Sequence, residues 1–218
     1  HGPETRSRQR APDQRSDRLL GLSGHTLWLV GKLIYSMNPS LDGFVAGPDG
    51  DFEWGAPDEE LHRFHNARVA RLSAHLLGRK LYETMVYWET ALEDPAISDY
   101  AAEFARIWQQ LPKVVFSSTL TEVEGKTRLA TGNVEEEVAR LKSEYDGDIA
   151  VGGPGLAGAC AELDLIDEYE LFISPVIVGG GLPFFPGLAA PLELELAETR
   201  TFGNRVVQVR YERVHPQR

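Results

Sequence analysis

The sequence predicts an α/β protein with a mostly parallel mixed sheet, closed at its C-terminus by an antiparallel hairpin. Two observations carry this. From about residue 26, short apolar runs rich in Val, Ile and Leu alternate with segments of helical period. That is the pattern of parallel strands joined by crossover helices. Near the end the pattern changes to two alternating stretches around Phe202-Gly203-Asn204, within LELELAETRTFGNRVVQVRYERV, residues 192–214. This reads as a β-hairpin.

The elements follow in order. LWLVGKLIYSMN (27–38) is apolar and β-rich, a buried strand. SLDGFVAGPDGDFEW (40–54) holds Asp-Gly twice and Gly-Pro once, so it reads as a turn-rich loop. Asp58, after Pro57, starts a helix over residues 58–74, with Leu61, Phe64, Arg68 and Leu72 near one face. AHLLG (74–78) is a short buried strand, and RKLYETMVYW (79–88) a helix starting directly after Gly78. Residues 98–111 form a helix ended by Pro112. KVVFSSTL (113–120) is a strand running into polar residues, and TRLAT (127–131) is another short strand. Asn133, with Glu136 three residues later, resembles a capping box for a helix over 133–145. DIAVGG (148–153) is a strand, and PGLAGACAELD (154–164) a helix with Pro154 in its first turn. DEYELFISPVIVGGG (167–181) reads as one long strand ending in glycines.

Composition narrows the function classes. The 218 residues are 42% hydrophobic, enough for one well-buried core. No apolar run approaches the roughly 20 residues of a membrane helix, and the start lacks the order of a signal peptide. The single cysteine, Cys160, excludes an internal disulfide and a cysteine zinc site. It agrees with a reducing, cytoplasmic setting. A net charge of −11 argues against a nucleic-acid footprint. His62 and His65 lie three apart with His75 further on, but no third ligand stands at a metal-binding spacing. Residues 1–25 hold five Arg and three acids and begin with His. They read as an N-terminal extension or expression-derived remnant ahead of one domain, residues 26–218.

Three predicted strand ends carry anion-binding chemistry, and ligands of parallel sheets sit at such ends. In LLGRK, Gly78 permits a close turn while Arg79 and Lys80 open a helix, whose N-terminus favours anions. In VVFSST, Ser117, Ser118 and Thr119 offer hydroxyls. In AVGGPGL, unhindered glycine amides precede a helix and can face a pyrophosphate. Each alone is as easily a turn or a solvated face. Together they favour a dinucleotide lying across the sheet.

The segments GKLIYSMNPSLDGFVAGPDGDFEW, LLGRKLYETM, KVVFSSTL and AVGGPGLAGACAELDLIDEYELFISPVIVGGGLPFF occur in an order that resembles the dihydrofolate reductase-like superfamily. The nearest branch is the reductase domain of riboflavin-pathway deaminase-reductases and its stand-alone relatives. The resemblance covers about residues 31–212. It implies a three-layer fold around a mixed sheet of about eight or more strands, NADPH as hydride donor, a small heterocyclic substrate and a homodimer. By position, Gly78, Arg79, Lys80 and Leu81 match the helix start that meets the cofactor phosphates. Dihydrofolate reductases themselves prefer Thr where Leu81 stands. Ser117 and Ser118 match the serines near the adenosine and its 2′-phosphate. Gly152, Gly153, Gly155 and Leu156 match the turn against the pyrophosphate. Ser40, Asp42, Gly43, Phe44, Val45 and Ala46 match the loop bordering the nicotinamide. Residues 177–185, with Gly180 and Gly181, lie in the region the family places beside substrate or nicotinamide.

Reduction of a C=N bond also needs a proton source. In dihydrofolate reductases, which the sequence resembles, a carboxylate on the first helix orients the pterin; aligning EWGAPDEELHRF with that region on Trp54 selects Glu59, and aligning it on Phe64 selects Glu60. A half-buried carboxylate there would have a raised pKa. Both acids also suit a plain role at a helix N-terminus, and Asp58 suits its N-cap. Trp54, Phe44 and Tyr82 can wall a flat ring. The deaminase half of a bifunctional enzyme needs a P-C-x-x-C pattern that one cysteine rules out. A ribityl phosphate would want basic residues, and residues 36–65 offer only Arg63. The leading reading is an NADPH-dependent reductase of a pterin-like or pyrimidine-like heterocycle. An NADP-binding regulatory or structural homologue without turnover is the alternative.

Overall fold

Apolar side chains that alternate along each strand sort themselves onto two faces of one sheet. The computed structural model describes Gly2 and residues 31–185 and 187–214. The expected N-terminal extension and the start of the first strand therefore lie outside the described residues, Gly2 apart. In chain order the elements are β1 (Leu33–Met37), β2 (Phe44–Ala46), α1 (Glu59–Val69), β3 (Ala74–Gly78), α2 (Arg79–Met85), α3 (Asp99–Gln110), β4 (Lys113–Phe116), β5 (Thr127–Leu129), α4 (Val134–Glu144), β6 (Ile149–Gly152), α5 (Pro154–Glu162), β7 (Glu168–Ile173), β8 (Leu182–Pro183), β9 (Leu194–Thr201) and β10 (Val207–Arg213). Eight strands form the main sheet in the order β5-β4-β3-β6-β1-β7-β10-β9, and β2 pairs with β8 apart from it. The first six of those eight run parallel, while β10 is antiparallel to both β7 and β9. The sequence predicts this α/β sheet and its closing hairpin.

Leu33 and Tyr35 of β1, Leu76 of β3 and Ile149 and Val151 of β6 face Val138 and Leu141 of α4 and Ala157, Cys160 and Ala161 of α5. On the other face Leu77 and Val115 pack against Tyr82 of α2 and Phe104 and Trp108 of α3. Leu61 and Phe64 of α1 pack there too, on Phe172 of β7 and on Phe202 and Val206 of the hairpin turn. The result is three layers. Cys160 lies in the first core, where burial pushes its thiol up to about 12; such a thiol is unreactive.

Three helices start on side-chain caps. Asp58 accepts from the Leu61 amide at 3.0 Å, Ser98 accepts from Ala101 at 3.4 Å, and Asn133 and Glu136 form the expected capping box. The last turn of α1 is seated by charge. Arg68 donates to the buried Glu170 at 3.0 Å, which also accepts from Ser36 and Gln208, while Arg210 donates to the buried Glu168 at 3.0 Å. Buried carboxylates are tolerated only when paired in this way.

Four expectations are corrected. The helix begun at Asp58 ends at Val69, not at residue 74, and the one from Arg79 turns from α-helix to 3-10 after Met85. The loop 40–54 contains a strand, β2. The long strand expected over 167–181 stops at Ile173, just before Pro175. Proline has no N–H for a sheet ladder, so the chain leaves the sheet there.

Beside the edge strand β5, Glu137 is fully buried at the start of α4. Arg128 binds both its oxygens, at 3.2 and 2.6 Å, and the amides of Thr131 and Gly132 donate to Oε1. The Arg128 contact, opposed by burial and helped by the Thr131 amide, pulls the carboxyl from an ordinary 4.5 down to about 2. A lowered folded-state pKa stabilises the fold above the unfolded value, and that stability is lost as pH falls through the folded one. The shift corresponds to stability on the order of 3 kcal/mol near neutral pH. Urea unfolding of Glu137→Gln should show a loss of about 2–3 kcal/mol at pH 7 that narrows steadily as pH falls from 4.5 toward 2. A gap that did not change with pH would contradict this account.

Candidate active site

The C-terminal ends of β3 and β6 lie side by side, with Leu77 opposite Gly152. From there the chain departs in opposite senses. The α2 helix packs on one face of the sheet and α5 on the other. Strand ends where the connections diverge in this way are the usual ligand position in such sheets. Here α2 and α5 differ from α1, α3 and α4. Their N-caps are Gly78 and Gly153, and neither helix has a side chain capping its first amides. Gly153 takes φ +92°, a region that favours glycine. The backbones are close: a Cβ on Gly153 would lie 3.7 Å from Gly78 Cα, and one on Gly78 would lie 3.7 Å from the Gly152 carbonyl oxygen. Among the described residues nothing lies within 4 Å of a Cβ placed on Gly155, so the first turn of α5 opens outward.

The flanking residues divide into free and engaged groups. Leu81 packs beneath the turn, its Cβ 3.7 Å from a Gly153 Cβ, so its place is filled by contact rather than by a hydroxyl. Arg79 pairs with Glu83 at 2.7 Å, both partly exposed. Glu83 was missed in the sequence, although its spacing of four from Arg79 is the helical pairing distance. Lys80 is exposed. At the end of β4, the Ser117 hydroxyl accepts from the amides of Thr119 and Leu120 at 3.1 and 2.9 Å, which leaves Ser118 as the exposed serine.

The expected substrate residues gather at the ends of β1 and β7, where Ser40 bridges to Ser174. Several of them are used by the protein itself. Ser40 is buried, donating to Asp42 at 2.7 Å and accepting from the Phe44 amide at 3.0 Å. Asp42 accepts from the amides of Val178 and Gly179 at 3.2 and 2.8 Å. The Gly43 carbonyl accepts from Phe184 at 2.8 Å. Gly181, at φ +127°, lies so close to β2 that a Cβ would fall 2.0 Å from the Ala46 oxygen. Gly180 sits over Pro48. Trp54 is half-buried in a 3-10 turn, its indole Nε1 buried and, among the described residues, without a partner. Asn38, at the end of β1, reaches the Gly55 carbonyl at 3.4 Å; its Asn38-Pro39 dipeptide was the overlooked sign of a strand end.

Two expectations fail on geometry. Neither candidate carboxylate is half-buried. Glu59 is exposed and pairs with Arg63 at 2.9 Å, and Glu60 is exposed and accepts from the Gly203 amide at 3.0 Å. Helix α1 points both acids at protein partners, and Glu60 ties its first turn to the hairpin. Tyr82 is a core residue whose hydroxyl accepts from the Glu124 amide at 2.8 Å, so it is no wall of a ring site beside Trp54. His62 sits among Trp88, Tyr100 and Phe104, and burial lowers its pKa; burial brings His65 down to about 4. Among the described residues no group of three or more His, Cys, Asp or Glu could hold a metal, and no helix is long and apolar enough to cross a membrane.

Known proteins match this arrangement. The RibD C-terminal domain model matches residues 31–208. The protein is 32% identical over 183 residues to the uncharacterized protein YyaP of Bacillus subtilis (strain 168), covering 83% of this chain and 94% of that one. It is 26% identical over 149 residues to the riboflavin biosynthesis protein RibD of Mycobacterium tuberculosis H37Rv, covering 65% of this chain and 41% of that one. Among solved structures, a deaminase/5-amino-6-(5-phosphoribosylamino)uracil reductase of Thermotoga maritima shares the fold with a TM-score of 0.61 at 17% identity, over 84% of this chain and 57% of that one. A protein of Shewanella sp. PV-4, provisionally assigned to riboflavin biosynthesis, gives 0.67 at 23%, over 84% of this chain and 99% of that one. The chain belongs to the RibD C-terminal domain family.

The two crowded glycines should respond differently to substitution. A Cβ at Gly152 meets Leu81 Cδ2 at 2.4 Å, the far end of a side chain that can rotate, whereas one at Gly181 meets backbone. Thermal unfolding should show Gly152→Ala losing about 1–2 kcal/mol and Gly181→Ala losing more, with β2 displaced. Equal losses would contradict the packing described.

Proposed function

We propose that this member of the RibD C-terminal domain family is an NADPH-dependent reductase of a pterin-like or pyrimidine-like heterocycle. One observation carries the reading: α2 and α5, the helices that start at the sheet's diverging strand ends, are capped by glycine and leave their first amides to a ligand. The residues fit a dinucleotide. The amides of Gly153, Gly155 and Leu156 would hold the pyrophosphate, Pro154 having no N–H to donate, with Gly155 leaving room for it. Arg79, Lys80 and Ser118 would meet the 2′-phosphate. Arg79 can leave Glu83 at little cost, because an exposed pair of this kind contributes little. Bound there, NADPH would supply a hydride to the substrate.

At the other end, Trp54 offers a flat ring and an indole N–H that has no partner among the described residues. Residues 36–65 hold one basic residue, Arg63. So few cations favour a heterocycle without a phosphate tail. With Glu59 and Glu60 exposed and engaged, solvent water is the proton source in this reading. The same two engaged acids support the second reading, a cofactor-binding homologue without turnover. Oxidation of NADPH with any member of a pterin and pyrimidine panel would exclude that reading.

Saturating NADPH should raise the melting temperature, since ligand at 100 times its Kd adds about 2.7 kcal/mol; no shift and no quenching of tryptophan fluorescence would refute the proposal. Two variants localise the effect. Arg79→Ala should weaken NADPH about tenfold and NADH little; equal losses would show that Arg79 does not read the 2′-phosphate. Gly155→Ala should keep full stability yet weaken both dinucleotides, and unchanged binding would remove Gly155 from the site.

A further inference from the structure

We propose that Asp42 is a positioning residue: its carboxylate ties the Ser40–Ala46 loop to the glycine-rich strap 177–181 and so sets the mouth of the site at the nicotinamide end. The strap is fixed on both sides by backbone. On one side Ser174 donates to Pro39 and Leu41 to Val176, each at 2.8 Å; on the other, β2 pairs with β8 and Phe184 donates to Gly43. Between these anchors, among the described residues, the strap's amides find a protein acceptor only in Asp42. Its Oδ1 accepts from Val178 and its Oδ2 from Gly179, across 136 and 137 positions of sequence. The buried Ser40 hydroxyl aims the carboxylate from below at 2.7 Å. These donors, Ser40 first, hold the Asp42 carboxyl below its usual range, so it stays charged and bonds strongly. Gly181 has no room for a side chain against Ala46, so release of the middle of the strap would change the gap between strap and loop. In this account Asp42 acts on the ligand through the strap and not by touching it. The functional half of the inference rests on the dinucleotide reading above.

The test uses the full chain and the variants Asp42→Asn and Ser40→Ala. Hydrogen exchange followed by mass spectrometry reads the amides of 176–182, and fluorescence titration compares NADPH with 2′,5′-ADP, which lacks the nicotinamide end. Asp42→Asn should speed exchange at Val178 and Gly179 about tenfold. It should also weaken NADPH about tenfold while leaving 2′,5′-ADP within about twofold. A merely structural loss would weaken both probes alike. Ser40→Ala removes one donor of three and should give a smaller change of the same pattern. Unchanged exchange at Val178 and Gly179, equal losses for both probes, or a defect in Ser40→Ala without one in Asp42→Asn would overturn the proposal. If the unaltered protein bound neither probe, the dinucleotide reading would fail, and the exchange measurement would still decide whether Asp42 holds the strap.

Discussion

The structure depends on one close approach of backbones, where the end of β3 meets the end of β6. The turns touch there: a Cβ on Gly78 or Gly153 would lie 3.7 Å from the neighbouring turn, and one on Gly152 would meet Leu81 Cδ2 at 2.4 Å. The approach is possible because two neighbouring parallel strands send their helices to opposite faces. The same divergence leaves α2 and α5 starting beside these strand ends with glycine caps. Elsewhere the chain caps its helices with Asp58, Ser98 and Asn133. This difference among the α-helices is what the proposed dinucleotide site rests on.

The far side of the sheet supplies rigidity. The carboxylates of Glu168 and Glu170, both 2% exposed, are shared among Arg68, Arg210, Gln208, Ser36 and Lys32. This network joins β1, β7 and β10 to the end of α1. The Tyr35 hydroxyl, on the central strand, donates to the Phe184 carbonyl at 2.9 Å. The segment that follows the strap is therefore anchored to the middle of the sheet as well as to the first loop. A rigid scaffold carrying loops tied to one another is how a fold positions a reacting pair.

Much of this was legible in the sequence, and the failures have physical causes. Helix caps, the Gly78 and Pro154 helix starts, and the hairpin were readable because each depends on local chemistry. The strand ends at Gly78, Phe116 and Gly152 were readable because each apolar run stops at glycine or polar residues. Phe44–Ala46 hid as a strand because three residues show no period, and its partner β8 lies far away in sequence. Pro175 carried the signal that stops β7, but the apolar run across it outweighed that signal. Asp42, Ser40 and Glu60 bear the chemistry of ligand contacts. Only the fold shows that their oxygens are taken by Val178 and Gly179, by Asp42 and Phe44, and by Gly203. Tyr82 looked like a ring wall because burial of an aromatic cannot be assigned to a site or a core from its neighbours in sequence.

A crystal structure of the full chain grown with NADPH tests the central claim most directly. The account predicts the pyrophosphate within hydrogen-bond distance of the amides at the start of α5, the 2′-phosphate beside Arg79 and Ser118, and the nicotinamide toward the strap held by Asp42. A dinucleotide bound away from the ends of β3 and β6, or with its nicotinamide directed toward β5, would contradict it.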